Sequence, residues 1–306
     1  MHYLKLIRYK NLIIIALTQW LFKWMLIDVF FKDTALTDIH FSFLVFSTVL
    51  IAAAGNIIND IQDITTDRIN KHKEVIVGVK ITEKRAYQLY LFTNITGVAL
   101  GLYVANSSGK SGFTILFVII ALLLYYYSTS LKKILLAGNL VVSLLVALTV
   151  IIIGIFTLLP IASDTNQYII NYVFRILFYY AVFAFYINFL REIIKDVQDV
   201  NGDHAANVKS LPIVLGKRRT LKILSVLSVM PCAALLAAVY EYLHTHPLLN
   251  AYILFAIMGP LLFISFTAWD AKKAKQYSTI STLLKIVMVL GVLSIIIVRY
   301  TLFKQL

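Results

Sequence analysis

FSFLVFSTVLIAAAGNIINDIQDITTD, residues 41–67, carries no charged side chain from Phe41 to Asn59 and then places Asp60, Asp63 and Asp67 in quick succession. About 20 mostly apolar residues are what an α-helix needs to cross a bilayer. The stretch therefore reads as a spanning helix that runs out into carboxylates. Aspartates spaced by three and then four residues share one helix face. REIIKDVQDVNGD, residues 191–203, repeats the device with Asp196, Asp199 and Asp203, again after an apolar run.

Working outward from these two stretches, apolar runs predict nine spans: 11–31, 40–59, 87–106, 112–130, 137–158, 168–192, 221–242, 248–268 and 281–302. Of the 306 residues, 60% are hydrophobic and 14% charged, with a mean hydropathy of +0.84. A soluble domain is about half apolar and about a quarter charged, so the composition excludes a soluble fold and predicts an all-α, polytopic membrane protein. No Pro/Gly/Ser-rich linker or low-complexity tract divides residues 1–306, which read as a single domain. The one cysteine, Cys232, lies in an apolar run and excludes a disulfide framework. The run after the basic N-terminus is long and lacks a small-residue cleavage site, so it reads as a first span and not a signal peptide.

The net charge of +13 does not point to nucleic acid, because most of the basic residues lie in connections between apolar runs. They fall in the N-terminal segment (Lys5, Arg8, Lys10) and in alternate loops (Arg68 to Arg85; Lys132, Lys133; Arg191 to Arg219; Lys272 to Lys275), with Lys32 and Lys110 as exceptions. Positive charge stays on the cytoplasmic side. The expected location is the cytoplasmic membrane, with the N-terminus, the basic loops and the site in or at the cytoplasm. Arg175 is the main charge inside a predicted span.

The aspartate clusters oppose two local penalties. Like charges at this spacing cost a few tenths of a kcal/mol per pair, and the helix C-terminus disfavours anions. Hard divalent cations suit carboxylate oxygens, and Mg²⁺ takes one or two carboxylates together with phosphate oxygens and water. Asn59 adds a neutral oxygen in register with Asp63 and Asp67. Two such stripes have the donors for two or three Mg²⁺ ions and a diphosphate. The bland alternative is a polar helix end paired with nearby lysines. The doubled spacing also suggests a duplicated half-protein.

These residues resemble the UbiA superfamily of membrane prenyltransferases. The first motif is similar to that family's N-D-x-x-D-x-x-x-D (Asn59, Asp60, Asp63, Asp67), and the second to its D-x-x-D-x-x-x-D (Asp196, Asp199, Asp203). YSTSLKK with a following GN (Tyr127, Lys132, Gly138, Asn139), KSLPIVLGKRR from Lys209, and LIRYKNL with Arg8 and Asn11 also match. Within the superfamily, the second motif and KSLPIVLGK are most similar to digeranylgeranylglyceryl phosphate synthases and their bacterial relatives. One departure stands: RINKHKEVIVGVKIT occupies the place where the family commonly has Arg-Pro repeats.

The resemblance implies Mg²⁺-dependent transfer of a geranylgeranyl-type group from a prenyl diphosphate to the hydroxyl of a prenylated glycerol phosphate. It implies metal ligation by Asn59, Asp63 and Asp67 and by Asp196, Asp199 and Asp203. Asp60 or Asp196 is a candidate base for the acceptor. Arg68, Lys71, Lys132, Arg191 and Lys195 are candidate phosphate contacts; Arg8, Asn11, Tyr127 and Lys209 enter as substrate-binding residues through their motifs. Tyr125 and Tyr126 read as interfacial belt residues, and His204 as a solvated histidine. The implied partners are the donor, a lipid-like or aromatic acceptor and membrane lipids. Two other readings stand beside this one: prenylation of a hydroxybenzoate or naphthoate ring in quinone synthesis, and an ion-coupled transporter, whose sites usually lie near the midplane on broken helices.

Overall fold

The computed structural model describes residues 1–70 and 75–303. Among them, nine helices are long and apolar enough to cross a membrane: α1 (Tyr9–Phe30), α2 (Asp38–Gln62), α3 (Glu83–Ser107), α4 (Ser111–Thr129), α5 (Ala137–Ile161), α6 (Gln167–Ala205), α7 (Lys217–Glu241), α8 (Pro247–Trp269) and α9 (Ala274–Leu302). The only β pairing among the described residues is an isolated bridge between Val77 and Ile81. The all-α, nine-span expectation holds.

Helix ends differ from the apolar runs, for local reasons. α6 continues past the predicted end at 192 to Ala205, 39 residues in all. At 1.5 Å per residue that is about 58 Å, roughly twice a hydrocarbon core, so the second carboxylate stripe stands on helix beyond the apolar stretch. α3 begins at Glu83 because the Thr82 hydroxyl accepts from Arg85 N, an N-cap. α9 begins at Ala274 because Gln276 Oε1 accepts from Lys272 N and Lys273 N, both at 2.9 Å.

The chain divides into two compact units, one of residues 1–134 and 148–177, the other of 135–147 and 178–306. In the first, α2 packs closely on α3 and α4 through glycines. A Cβ on Gly97 would stand 2.8 Å from Ile51 Cγ1 and 3.2 Å from Ile51 N, and one on Gly55 2.9 Å from Leu124 Cδ2. Ser47 Oγ donates to Gly97 O at 2.7 Å. Lipid gives helices no hydrophobic reason to associate, so close backbone approach and polar contacts hold them. The N-terminal helix His2–Leu6 is tied to the end of α2 by an apolar knot of Leu6, Ile57, Ile58, Ile61, Val77, Ile81 and Ala86.

In the second unit, Ile187, Leu190, Ile194 and Val197 bury one stripe of α6. The stripe through Asp196, Asp199 and Asp203 lies about half a turn round, on the other side. Polar contacts again join helices: Ser225 Oγ donates to Ser265 O at 2.8 Å, Tyr186 OH to Leu227 O at 2.9 Å, and Tyr252 OH to Leu290 O at 2.7 Å.

Gly97→Ala is expected to destabilise the protein by about 1–3 kcal/mol, the usual cost of overpacking, read as a lowered midpoint of thermal unfolding in detergent. Gly259→Ala, whose Cβ would meet nothing nearer than Leu254 O at 3.7 Å, is expected to leave the midpoint unchanged or slightly raised. Equal effects at the two positions would refute this account of the α2–α3 contact.

Candidate functional site

The first carboxylate cluster forms where α2 ends. Asp63 follows the last residue of α2 with φ −94° and ψ 7°, the bridge region common at active sites. A separate helix, Ile64–Asn70, then carries Asp67. The stripe predicted as one continuous helix is therefore broken at Asp63. The Thr66 hydroxyl donates to Asp63 O at 2.9 Å and approaches Asp63 Oδ1 at 3.3 Å, while Asp63 O also accepts from Asp67 N at 2.8 Å.

Cations from other segments reach this end. Lys132, in the turn after α4, donates to Asp63 Oδ1. Arg8 Nη2 donates to Asp60 Oδ1 at 2.8 Å. Arg8 takes the left-handed conformation, φ 55° and ψ 49°, which is costly for a residue with a Cβ. The strain is offset by that ion pair and by Asn56 Nδ2, which donates to Ile7 O at 3.0 Å. Asn11 lies one turn further, its N–H donating to Arg8 O at 2.8 Å.

The second cluster sits on uninterrupted helix. Asn139 Nδ2, near the start of α5, donates to Asp196 Oδ2 at 2.8 Å. Behind it, Ser143 Oγ donates to Asn139 O at 2.6 Å and accepts from Asn188 Nδ2 at 3.3 Å. Glu192, buried one turn before Asp196, accepts from Lys195 Nζ and lies 3.8 Å from Arg191 Nη1. A buried carboxylate needs such partners. Asp199 and Asp203 are half-buried on the same face.

Each unit thus brings part of the predicted set together: Arg8, Asn59, Asp60, Asp63 and Lys132 in one, Arg191, Lys195 and Asp196 in the other. Tyr127 is half-buried near the end of α4, and Arg68 and Lys209 are exposed. Tyr125, Tyr126 and His204 are exposed too. Lys71 lies outside the described residues. Asn139, Ser143, Asn188, Glu192 and Thr66 join the two clusters as polar members to which the sequence had assigned no role. Glu192 is detectable as i−4 of Asp196, one turn up the same face, and Asn139 stands in a matched motif.

The first cluster fits a hard cation. Asn59 Nδ2 is committed to Asp63 Oδ2 at 2.8 Å, while Asn59 Oδ1 is buried with no hydrogen-bond partner. An unsatisfied buried acceptor costs about 1–3 kcal/mol, and an amide oxygen beside carboxylates is an ordinary Mg²⁺ donor. Arg191 Nε is likewise buried without a partner and suits an anion. Among the described residues, no three Asp, Glu, His or Cys side chains gather into a ligand set by themselves. Mg²⁺ needs no such cage where phosphate and water complete its shell.

A family model described as the UbiA prenyltransferase family matches residues 24–288. A digeranylgeranylglyceryl phosphate synthase of Methanosphaera stadtmanae is 27% identical over 211 residues, 69% of each chain. One of Saccharolobus solfataricus is 30% identical over 181 residues, 59% of this chain and 58% of its own. A solved structure described as digeranylgeranylglyceryl phosphate synthase in membranes is 26% identical, with a TM-score of 0.60 over 97% of both chains. A UbiA homologue of Archaeoglobus fulgidus, bound to DMAPP and Mg²⁺, shares the fold at 18% identity, with a TM-score of 0.55 over 97% of this chain and 100% of its own.

Arg8→Gln is expected to loosen the N-terminal turn. Partly exposed ion pairs are worth up to about 1 kcal/mol, so hydrogen exchange of amides 3–12 should accelerate about fivefold. Unchanged exchange would show that Asn56 and the apolar knot hold the turn without the ion pair.

Proposed function

The chain belongs to the UbiA prenyltransferase family and is a prenyltransferase, and from that premise we propose that it transfers a geranylgeranyl-type group from a prenyl diphosphate to the free hydroxyl of a prenylated glycerol phosphate. Supporting this acceptor are the relatives named digeranylgeranylglyceryl phosphate synthase. A diphosphate donor with a divalent metal is supported by the Archaeoglobus fulgidus homologue bound to DMAPP and Mg²⁺. The basic loops support a reaction at the cytoplasmic membrane, with the N-terminus in the cytoplasm.

Asn59, Asp63 and Asp67 are the proposed ligands of one Mg²⁺, and Asp196, Asp199 and Asp203 of another. The observation that carries the metal reading is the buried, unpaired Asn59 Oδ1. When bound, Mg²⁺ supplies Lewis-acid stabilisation of a leaving diphosphate. The allylic carbon–oxygen bond breaks as the diphosphate leaves, and the acceptor oxygen bonds to that carbon and loses its proton. Lys132, Arg191 and Lys195, with Arg8, Asn11, Arg68, Lys71 and Lys209, are assigned to the phosphate groups, where charge-assisted bonds are strong. Tyr127 is assigned to the allylic cation through its ring. Asp60 or Asp196 is the proposed proton acceptor. The first is held by a guanidinium and the second by a neutral amide.

The test is product formation by the purified protein with radiolabelled geranylgeranyl diphosphate, Mg²⁺ or EDTA, and geranylgeranylglyceryl phosphate or 4-hydroxybenzoate as acceptor. A lipid product only with the first acceptor, abolished by EDTA and restored by Mg²⁺, is expected. Product only with 4-hydroxybenzoate would overturn the acceptor and move the protein to quinone synthesis. Asp63→Ala and Asp199→Ala should each lower turnover by on the order of 10²-fold or more while leaving the protein folded, since removing like-charge neighbours does not harm a helix. Unfolding of both variants would instead make the clusters structural.

A further inference from the structure

Arg175 is exposed and is the first charged residue of α6, the next being Arg191. It is the ninth residue of α6 and belongs to the N-terminal third of that helix, whereas the carboxylates occupy the C-terminal third. Among the described residues it has neither an ion pair nor a hydrogen bond. Ile170, Val173 and Leu177 bury the core-facing stripe of the same turns. Tyr168, Tyr172 and Arg175, spaced by four and three residues, form a stripe on the outer face, with Tyr168 84% and Tyr172 40% exposed.

Helical side chains lean toward the helix N-terminus and cover the turn before their own Cα. Arg175 is thereby directed over Tyr172, toward the nearer end of α6. That end is about 12 Å from Arg175 along the helix axis at 1.5 Å per residue, and a long arginine shortens the remaining distance by snorkelling. Tyr172 is itself braced, with its ring edge-on to Phe30 at 5.7 Å between centroids. Tyrosine belongs at the headgroup level of a bilayer. A guanidinium without an acidic partner on an exposed face suits an anion. Its planar fork matches phosphate oxygens, and tyrosine hydroxyls on the same stripe add donors.

We propose that Tyr168, Tyr172 and Arg175 form a binding site for the phosphate of an anionic phospholipid at the N-terminal end of α6. The site commits to a membrane lipid because the stripe is flanked by exposed apolar side chains, Ile169 among them, that acyl chains cover and free phosphate does not. It is independent of the prenyl-transfer reading and leaves the carboxylate clusters untouched.

The experiment uses the full chain in detergent and a phosphatidylglycerol carrying a fluorophore on one acyl chain. Unlabelled phosphatidylglycerol, phosphatidylcholine and inorganic phosphate are the competitors. Binding displaced by phosphatidylglycerol alone is expected. It should weaken about tenfold in Arg175→Leu, as loss of a charge-assisted fork implies, and less in Arg175→Lys, which keeps the charge. A phosphatidylglycerol with a photoreactive headgroup should crosslink within residues 165–176. Equal affinity in wild type and Arg175→Leu, displacement by phosphatidylcholine or inorganic phosphate as effective as by phosphatidylglycerol, or crosslinks confined to the basic loops would each overturn the proposal. Should Arg175→Leu fail to fold, Arg175→Lys and Tyr172→Phe carry the comparison, and wild-type affinity in both overturns it equally.

Discussion

Asp63 ends an apolar helix, where the macrodipole and the like charges beside it both oppose a carboxylate, and Lys132 reaches it from a segment 69 residues away. Much else in the first unit results from accommodating that charge. The turn after α4 is anchored by the contact, and the Asp63 carbonyl accepts from both the Thr66 hydroxyl and Asp67 N. Asn59 gives its amide N–H to Asp63 and is left with a bare oxygen. Arg8 does for Asp60 what Lys132 does for Asp63, at the cost of a left-handed backbone. Asp60 and Asp63 are thus each held in place by a cationic side chain whose role a metal ion is chemically able to take.

The second unit meets the same problem by different means while repeating the local plan. In each unit a left-handed residue, Arg8 or Leu136, immediately precedes a spanning helix. An asparagine comes three residues later, Asn11 or Asn139, and the next spanning helix leads into or carries the aspartates. Where Arg8 sets a full positive charge on Asp60, Leu136 offers none, and Asp196 is held by the Asn139 amide. Glu192 gathers Lys195 and Arg191 one turn away. Repetition of backbone conformation as well as aspartate spacing strengthens the case for duplication. The different partners give the two clusters different chemistry from one design.

The spans were legible because a bilayer imposes a length and a polarity that composition alone satisfies. The partners of the carboxylates were not. D-x-x-D-x-x-x-D occurs in both clusters, yet one is broken at its second aspartate and the other is continuous helix. The three residues after that aspartate differ: Ile64-Thr65-Thr66, β-branched and with a hydroxyl bonded to Asp63 O, against Val200-Asn201-Gly202. Apolar periodicity is blind to such a hydroxyl. Pairings such as Lys132 with Asp63 depend on tertiary approach, and spacing carries no record of them. Glu192 was within reach of the same reasoning that found Asp196, since i and i+4 share a face. The apolar run ends at residue 192, and that boundary separated the two.

Holding a charged constellation at the edge of a bilayer demands rigid posts, yet lipid removes the usual means of making them. Large side chains such as Phe255 and Phe266 are 80% and 83% exposed, so burying apolar area does not distinguish a helix neighbour from an acyl chain. The discriminating contacts are those lipid cannot imitate: backbone brought against side chain at Gly55, Gly97 and Gly291, and hydroxyls donating across helices to Gly97 O, Leu227 O, Ser265 O and Leu290 O. α2, which ends at the first cluster, and α6, which carries the second, take part in both kinds. Their stiffness comes from contacts distributed along their length. The carboxylate ends are therefore free to be poor for local stability.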